Sequence, residues 1–234
     1  MGEGEFVKRH LIVAGATGEV GRRLVLLAAA KPDLIVHALV RRKRPWMLAS
    51  DVHEIVFDYE DSNAYKSLFR DTPCDVLLIA LGTTTAKSGA DGLMRVDRDY
   101  PISLLGALEQ ACPHARVGFC SSVGADRPRG HYLKAKFDVE QRLLLSSLAT
   151  VIARPSFLIS TRLEFRPLEN IGLPIFRALF GLLKTLMPNA QFVWKYAPIH
   201  VATVAERLLE ETLRTNSPQH FFLEGKTLHT TTRV

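Results

Sequence analysis

The chain has 234 residues, 47% of them hydrophobic and 23% charged, which excludes disordered and fibrous classes and gives enough length for one globular domain with an appended lobe. Its formal charge is +6, yet Lys and Arg are spread along the chain apart from Arg41, Arg42, Lys43 and Arg44, so charge alone does not call for nucleic acid. Three cysteines, Cys74, Cys112 and Cys120, are too few and too irregularly spaced for a disulfide framework or a metal site, which predicts free thiols in a reducing compartment.

The first residues, MGEGEFVKRH, run straight into a strand-like segment without an apolar stretch and cleavage site, so the expected location is cytoplasmic. His10 to Gly15 is a short apolar run of β-forming residues. Glu19 to Ala30 follows with Val20, Leu24, Leu27 and Ala28 at helical spacing, and Lys31-Pro32 closes it. Leu34 to Val40 is a second apolar run, so the chain opens as a βαβ unit with parallel strands and a right-handed crossover. Alternation continues with a strand near Glu54 to Phe57, a helix near Ala64 to Arg70, a strand at Val76 to Leu81 and a helix around Tyr100 to Ala111. Val117 to Ser121 and Val151 to Ala153 read as strands flanking an amphipathic helix at about Lys134 to Ser147. Ala205 to Thr215 is a last helix and His220 to Leu223 a late strand. This pattern predicts an α/β Rossmann-type, doubly wound and mostly parallel sheet. The expected organisation is a single domain over 1–234, in which residues 156–197, rich in proline and mixed charge, form an irregular substrate lobe.

Gly15-Ala16-Thr17-Gly18-Glu19-Val20-Gly21 lies where the first strand turns into the first helix. Glycines at this spacing let a pyrophosphate approach the backbone amides and the positive end of the helix, which marks a dinucleotide site. About 20 residues beyond the last glycine, an acidic residue would hold a ribose 2′-hydroxyl and repel a 2′-phosphate. Arg41 stands there instead, followed by Arg42, and charge-assisted bonds from these guanidiniums favour NADP(H) as the cofactor. The same basic cluster could also be a solvated loop or a weak nucleic-acid patch, and Lys43 and Arg44 suit that description.

After the fifth strand come Ser121 and Ser122, and then Tyr132-Leu133-Lys134-Ala135-Lys136. In a helix beginning near Tyr132, a spacing of four brings Tyr132 and Lys136 to one face. An ammonium beside a phenol favours the phenolate and so makes a usable acid or base near neutral pH. Ser122 would hydrogen-bond the reacting oxygen, with Ser121 as its competitor.

The glycine turn, the serine pair and Tyr132-x-x-x-Lys136 resemble the short-chain dehydrogenase/reductase family. Arg154-Pro155 and Pro198-Ile199-His200-Val201 resemble segments of its extended and atypical members, and Asp58 is similar to the acidic residue that contacts adenine. Ala80-Leu81-Gly82-Thr83-Thr84, Lys87-Ser88-Gly89 and Val96-Asp97-Arg98-Asp99-Tyr100 resemble the atypical Tat-interacting-protein-like oxidoreductases. The resemblance implies that Tyr132 is the general acid or base, that Lys136 lowers its pKa and binds the nicotinamide ribose, and that Ser122 orients the substrate oxygen. It also implies cofactor contacts by Gly15, Thr17, Gly18, Glu19, Val20, Gly21, Arg41, Arg42, Asp58, Leu81, Gly82, Thr83, Tyr132, Lys136, Arg154 and Pro155. Gly82-Thr83-Thr84 departs from the family's Asn-Ala-Gly type of turn.

His200, inside an apolar segment, reads as a structural residue. The longest apolar stretch, Ile171 to Met187, is broken by Pro174, Arg177 and Lys184 and falls short of a membrane span; its helical piece is Ile175 to Met187. It suits a substrate-pocket wall or a subunit interface better than a membrane-surface helix, and so leaves a homodimer open. Trp46 and Trp194 have no aromatic companions for stacking single-stranded nucleic acid. The expected activity is NADP(H)-dependent reduction or oxidation of a small carbonyl or alcohol. An NADP-dependent isomerase or epimerase would use the same residues, and a redox-sensing NADP(H)-binding regulator would need only the cofactor half of the site.

Overall fold

The computed structural model describes residues 8–43, 52–159 and 189–230 apart from 217, with a few more between 180 and 187. β1 (Arg9–Ala14) leads through the glycine turn into α1 (Glu19–Ala29), and β2 (Leu34–Val40) and β3 (Val52–Val56) follow. Next come α2 (Ser62–Asp71), β4 (Val76–Ile79), α3 (Thr85–Met94), one π-helical turn (Arg95–Asp99) and α4 (Tyr100–Ala111). The order continues with β5 (Arg116–Cys120), α5 (Gly130–Leu144), β6 (Ala149–Ala153), β7 (Leu158–Ile159), a short helix Gln191–Tyr196, β8 (Ile199–His200), the long helix Val201–Leu213 and β9 (His220–Leu223).

Seven of these strands form one sheet in the order β3-β2-β1-β4-β5-β6-β9, with every neighbouring pair parallel. Such a sheet must be covered on both faces, which is why β1 and β4 are almost wholly apolar. On one face α1 turns Val20, Leu24, Val25 and Ala28 inward and packs with the helix Val201–Leu213 over Leu11, Val13, Val36 and Leu78. On the other, α2, α4 and α5 bury Leu68, Leu104, Leu108, Val139 and Leu143 against Ile12, Leu39, Leu77 and Phe119. Strand order reverses between β1 and β4, and Ala14 pairs with both Leu39 and Ile79, so the carboxyl ends of β2, β1 and β4 finish level. A crevice at that switch point is where sheets of this kind take their ligands.

Most expected elements recur with ends displaced by a few residues. Two differences bear on function. α5 begins at Gly130, where φ is +74°, and not near Lys134, so Tyr132 lies within its first turn. The segment before α4 is also helical, which had no sequence expectation: α3 is interrupted at Gly89 (φ 69°, ψ −180°) and runs into the π turn. Gly89, Gly92 and Ser88 dilute the helical periodicity there. Of the proposed lobe at 156–197, residues 160–179 lie outside the described residues, as do Arg44 and Trp46. Among the described residues no helix is long and apolar enough to cross a membrane.

On the β1-β2-β3 side of the sheet, His10, His37 and His53 stack across the three strands with ring centroids 5.3 Å apart in each neighbouring pair. Burial, with His10 and His53 on either side, pushes His37 down from 6.5 to about 4. The folded protein therefore keeps His37 neutral where the unfolded chain would already take up a proton. Stability is fully present above pH 6.5 and is lost as the pH falls towards 4, by about 2 kcal/mol once partial exposure is allowed for. Urea denaturation of wild type and His37→Phe between those values should show the wild-type curve falling and the variant's staying flatter; parallel curves would assign the acid sensitivity to other groups.

Candidate active site and cofactor cleft

Gly15 has φ +85°, and a Cβ there would sit 2.5 Å from Ala80 O, so only glycine allows β1 to turn beside the end of β4. A Cβ on Gly21 would lie 2.1 Å from Gly15 O, so α1 presses directly on the turn. Gly18 differs. Its φ of −73° and ψ of 170° suit any residue, it is exposed, and its nearest neighbour, Gly15 O, would be 3.3 Å from a Cβ. Packing within the protein thus requires Gly15 and Gly21, whereas Gly18 is exposed to the space in front of the helix and a Cβ there would ask Gly15 O to give by a few tenths of an ångström. Gly18 caps α1 without a side-chain acceptor, so the first-turn amides beside half-buried Thr17 and Glu19 point their positive end into that space.

The cleft contains a second polar group with nothing to bind. Tyr59, after β3, stacks on Tyr100 with ring centroids 5.0 Å apart and is 8% exposed. Its hydroxyl is buried without a hydrogen-bond partner, close to the Gly15 backbone. Burial pushes this phenol above its usual range, so it stays protonated as a donor. Exposed Arg41, at the end of β2, is near enough for its charge to act on both Tyr59 and Tyr100. Arg42 is exposed beside it, and exposed Asp58 uses one carboxylate oxygen to accept the Glu60 amide at 2.9 Å. A phenol without a side-chain partner beside the glycine turn, a nearby cationic side chain and the amino end of α1 fit a dinucleotide.

At the other end of the crevice, Lys136 in α5 is 2% exposed. Its Nζ donates to Leu81 O at 3.0 Å and forms a buried salt bridge with Asp97 Oδ1, also at 3.0 Å. The same Nζ is 5.8 Å from the centroid of the Tyr132 ring. Burial pushes Lys136 down, but the Asp97 carboxylate outweighs it and holds the lysine above its usual value. Tyr132, one turn earlier, is 40% exposed, so its phenol meets solvent while the cation beside it does not. Asp97 Oδ2 accepts the Thr83 amide at 2.8 Å, and the loop Leu81-Gly82-Thr83 is held between the two charged groups.

Ser121 and Ser122 follow β5 and are engaged differently. Ser121 is buried and donates to Glu140 Oε1 at 2.5 Å. Ser122 is half-buried and reaches only Val123 O, at 3.4 Å, on a loop whose Gly124 abuts Leu133 at the start of α5. Arg154, expected at the cofactor, is committed inside the protein: Nε and Nη2 bond Glu140 at 3.0 and 2.6 Å, Nη1 bonds Glu224 at 3.2 Å, and the guanidinium lies 4.4 Å from the centroid of Phe222. Pro155 O accepts the Val123 amide at 2.8 Å and so steadies the serine loop. Tyr59 had no place among the sequence expectations, and Asp97 stood there only within a segment of resemblance, without a role. His200 is exposed at the end of β8. Among the described residues no group of three or more His, Cys, Asp or Glu could hold a metal ion.

A seven-stranded parallel sheet with a glycine turn at its switch point and a Tyr-x-x-x-Lys helix beside it is the arrangement of a Rossmann-type NAD(P)-binding protein. Residues 15–166 match the NAD(P)H-binding family, and the chain belongs to it. It is 31% identical over 228 residues to Protein HTATIP2 of Rattus norvegicus, covering 94% of this chain and 88% of that protein. A short-chain type dehydrogenase/reductase from Mycobacterium ulcerans superposes with a TM-score of 0.69 at 14% identity, over 96% of this chain and 91% of that one. A short-chain dehydrogenase from Streptomyces avermitilis gives 0.65 at 19% identity, over 95% and 90%.

Proposed function

We propose that the protein is an NADP(H)-dependent oxidoreductase that reduces a small carbonyl compound, or oxidises the corresponding alcohol, with Tyr132, Lys136 and Ser122. The observation that carries this reading is the ionised, buried Lys136 one turn from the solvent-facing phenol of Tyr132, beside a cleft suited to a dinucleotide. When bound, the nicotinamide supplies or accepts the hydride. Tyr132 Oη gives its proton to the developing alkoxide in reduction and takes it back in oxidation. Lys136, held above its usual pKa by Asp97, eases loss of that proton and can turn a donor towards the ribose. Ser122, whose hydroxyl is held only weakly at 3.4 Å, is the serine free to orient the substrate oxygen, because Ser121 is bound to Glu140.

The 2′-phosphate is assigned to Arg41, supported by the proximity of its charge to Tyr59 and Tyr100, with Arg42 as a secondary contact. A charge-assisted bond of this kind stabilises by roughly 1.5 to 3 kcal/mol, so NADPH should bind at least about tenfold more tightly than NADH. Fluorescence titration with both nucleotides tests this, and Arg41→Asp should abolish or reverse the preference. Equal dissociation constants in the wild type would contradict it.

The substrate is a small molecule admitted from the side of Tyr132.

A further inference from the structure

Lys136 stands where an ammonium is costly. Burial removes its water, and a lysine so placed tends to shed its proton unless a counter-charge lies within reach. The titratable groups that act on it come from three elements: Asp97 from the π turn, Cys120 from β5 and Tyr132 from α5. Burial pushes the Cys120 thiol up, so it carries no charge there, whereas the Asp97 carboxylate lies 3.0 Å from the Lys136 ammonium. Asp97 is therefore the anion opposite Lys136. It is itself wholly buried.

The π turn explains how a carboxylate reaches this place. Such a turn inserts an extra residue into the helix and re-aims the side chains that follow it. Here Asp97 is directed inward beneath the end of β4 while its neighbours Arg95, Arg98 and Asp99 stay at least partly exposed. Gly82 leaves it room, since a Cβ there would be 3.4 Å from Asp97 Oδ1.

We propose that Asp97 is a positioning residue that keeps Lys136 ionised and docked on the Leu81–Thr83 loop, so that the cation beside Tyr132 is in place before cofactor or substrate arrives. The pair is assembled in the protein alone, and only its use in turnover rests on the Tyr132 and Lys136 reading above. Asp97→Asn keeps the size and the acceptor for the Thr83 amide and removes only the charge.

The test is the titration of Lys136 in ligand-free protein, followed by NMR of ¹³C-labelled lysine side chains and assigned with Lys136→Arg. In the wild type the Lys136 signal should stay at its charged position to about pH 10; in Asp97→Asn it should titrate at least about two pH units lower. The alkaline fall in turnover should move with it. An unchanged Lys136 titration in Asp97→Asn, or loss of the Lys136 proton below about pH 9 in the wild type, overturns the proposal. If Asp97→Asn does not fold, the Asp97→Asn/Lys136→Met double variant decides: recovery of folding supports the pairing, because the uncompensated buried charge has gone, and failure to recover overturns it. Full activity in Tyr132→Phe would sink the catalytic reading and leave the Lys136 titration untouched, so the two failures are distinguishable.

Discussion

Tyr132→Phe should lower turnover by about a hundred- to ten-thousandfold while the dissociation constant of NADPH changes less than about threefold. The substitution removes one oxygen and keeps the ring. The phenol is 40% exposed on α5, whereas the phosphate-binding turn is built on α1, so deleting the hydroxyl leaves the pyrophosphate contacts intact. Its loss therefore falls on proton transfer, whose typical contribution sets the size of the effect. Lys136→Ala differs in kind: it removes the cation next to the phenol and the donor to Leu81 O, and strands the buried Asp97. Both turnover and cofactor affinity should fall in that variant. Paired measurement of turnover number and dissociation constant separates the two. Normal turnover by Tyr132→Phe would remove Tyr132 from the chemistry.

Gly18→Val should reduce NADPH binding by at least about a hundredfold in a protein that folds as the wild type does. The backbone of Gly18 already has angles open to valine, and its nearest protein atom would be 3.3 Å from the new Cβ, so the fold gives way by only a few tenths of an ångström. The branch instead fills the space in front of the α1 amides, where the pyrophosphate must come. Gly21→Ala is the control with the opposite signature. Its Cβ would meet Gly15 O at 2.1 Å, so α1 must move and stability should fall by about 1 to 3 kcal/mol. Circular dichroism and thermal melts report the fold and fluorescence titration reports binding. Undiminished NADPH affinity in folded Gly18→Val would show that the turn is not the phosphate site.

What could be read from the chain in advance divides along a physical line. Period and local spacing announce β1, the glycine turn, α1 and the Tyr132-Lys136 pair, because each is a short-range pattern whose meaning does not depend on distant residues. Contacts across long separations are not announced. Asp97 meets Lys136 39 positions later only because a π turn re-aims it, and nothing in Arg95-Val96-Asp97-Arg98-Asp99 forecasts such a turn. Tyr59 is one of several aromatics until its hydroxyl is found beside Gly15 without a partner. Adjacent residues leaving a strand point to opposite sides, so Ser121 and Ser122 cannot both face one cleft. The bond from Ser121 to Glu140, itself held by Arg154, is a long-range contact that the serine pair does not announce. Arg154, beside Pro155, also bridges distant elements, pairing with buried Glu140 of α5 and with partly exposed Glu224 after β9.

The account as a whole turns on whether hydride leaves NADPH for a carbonyl carbon at this site. Incubating the protein with NADPH deuterated at the nicotinamide C4 position and a panel of small aldehydes and ketones, then reading product mass, measures that transfer directly. An alcohol carrying one deuterium, formed on a single face by the wild type and formed at least about a hundredfold more slowly by Tyr132→Phe, is the predicted result. Tight NADPH binding with no deuterium passed to any carbonyl would contradict it and point to a protein that senses the cofactor without turning it over.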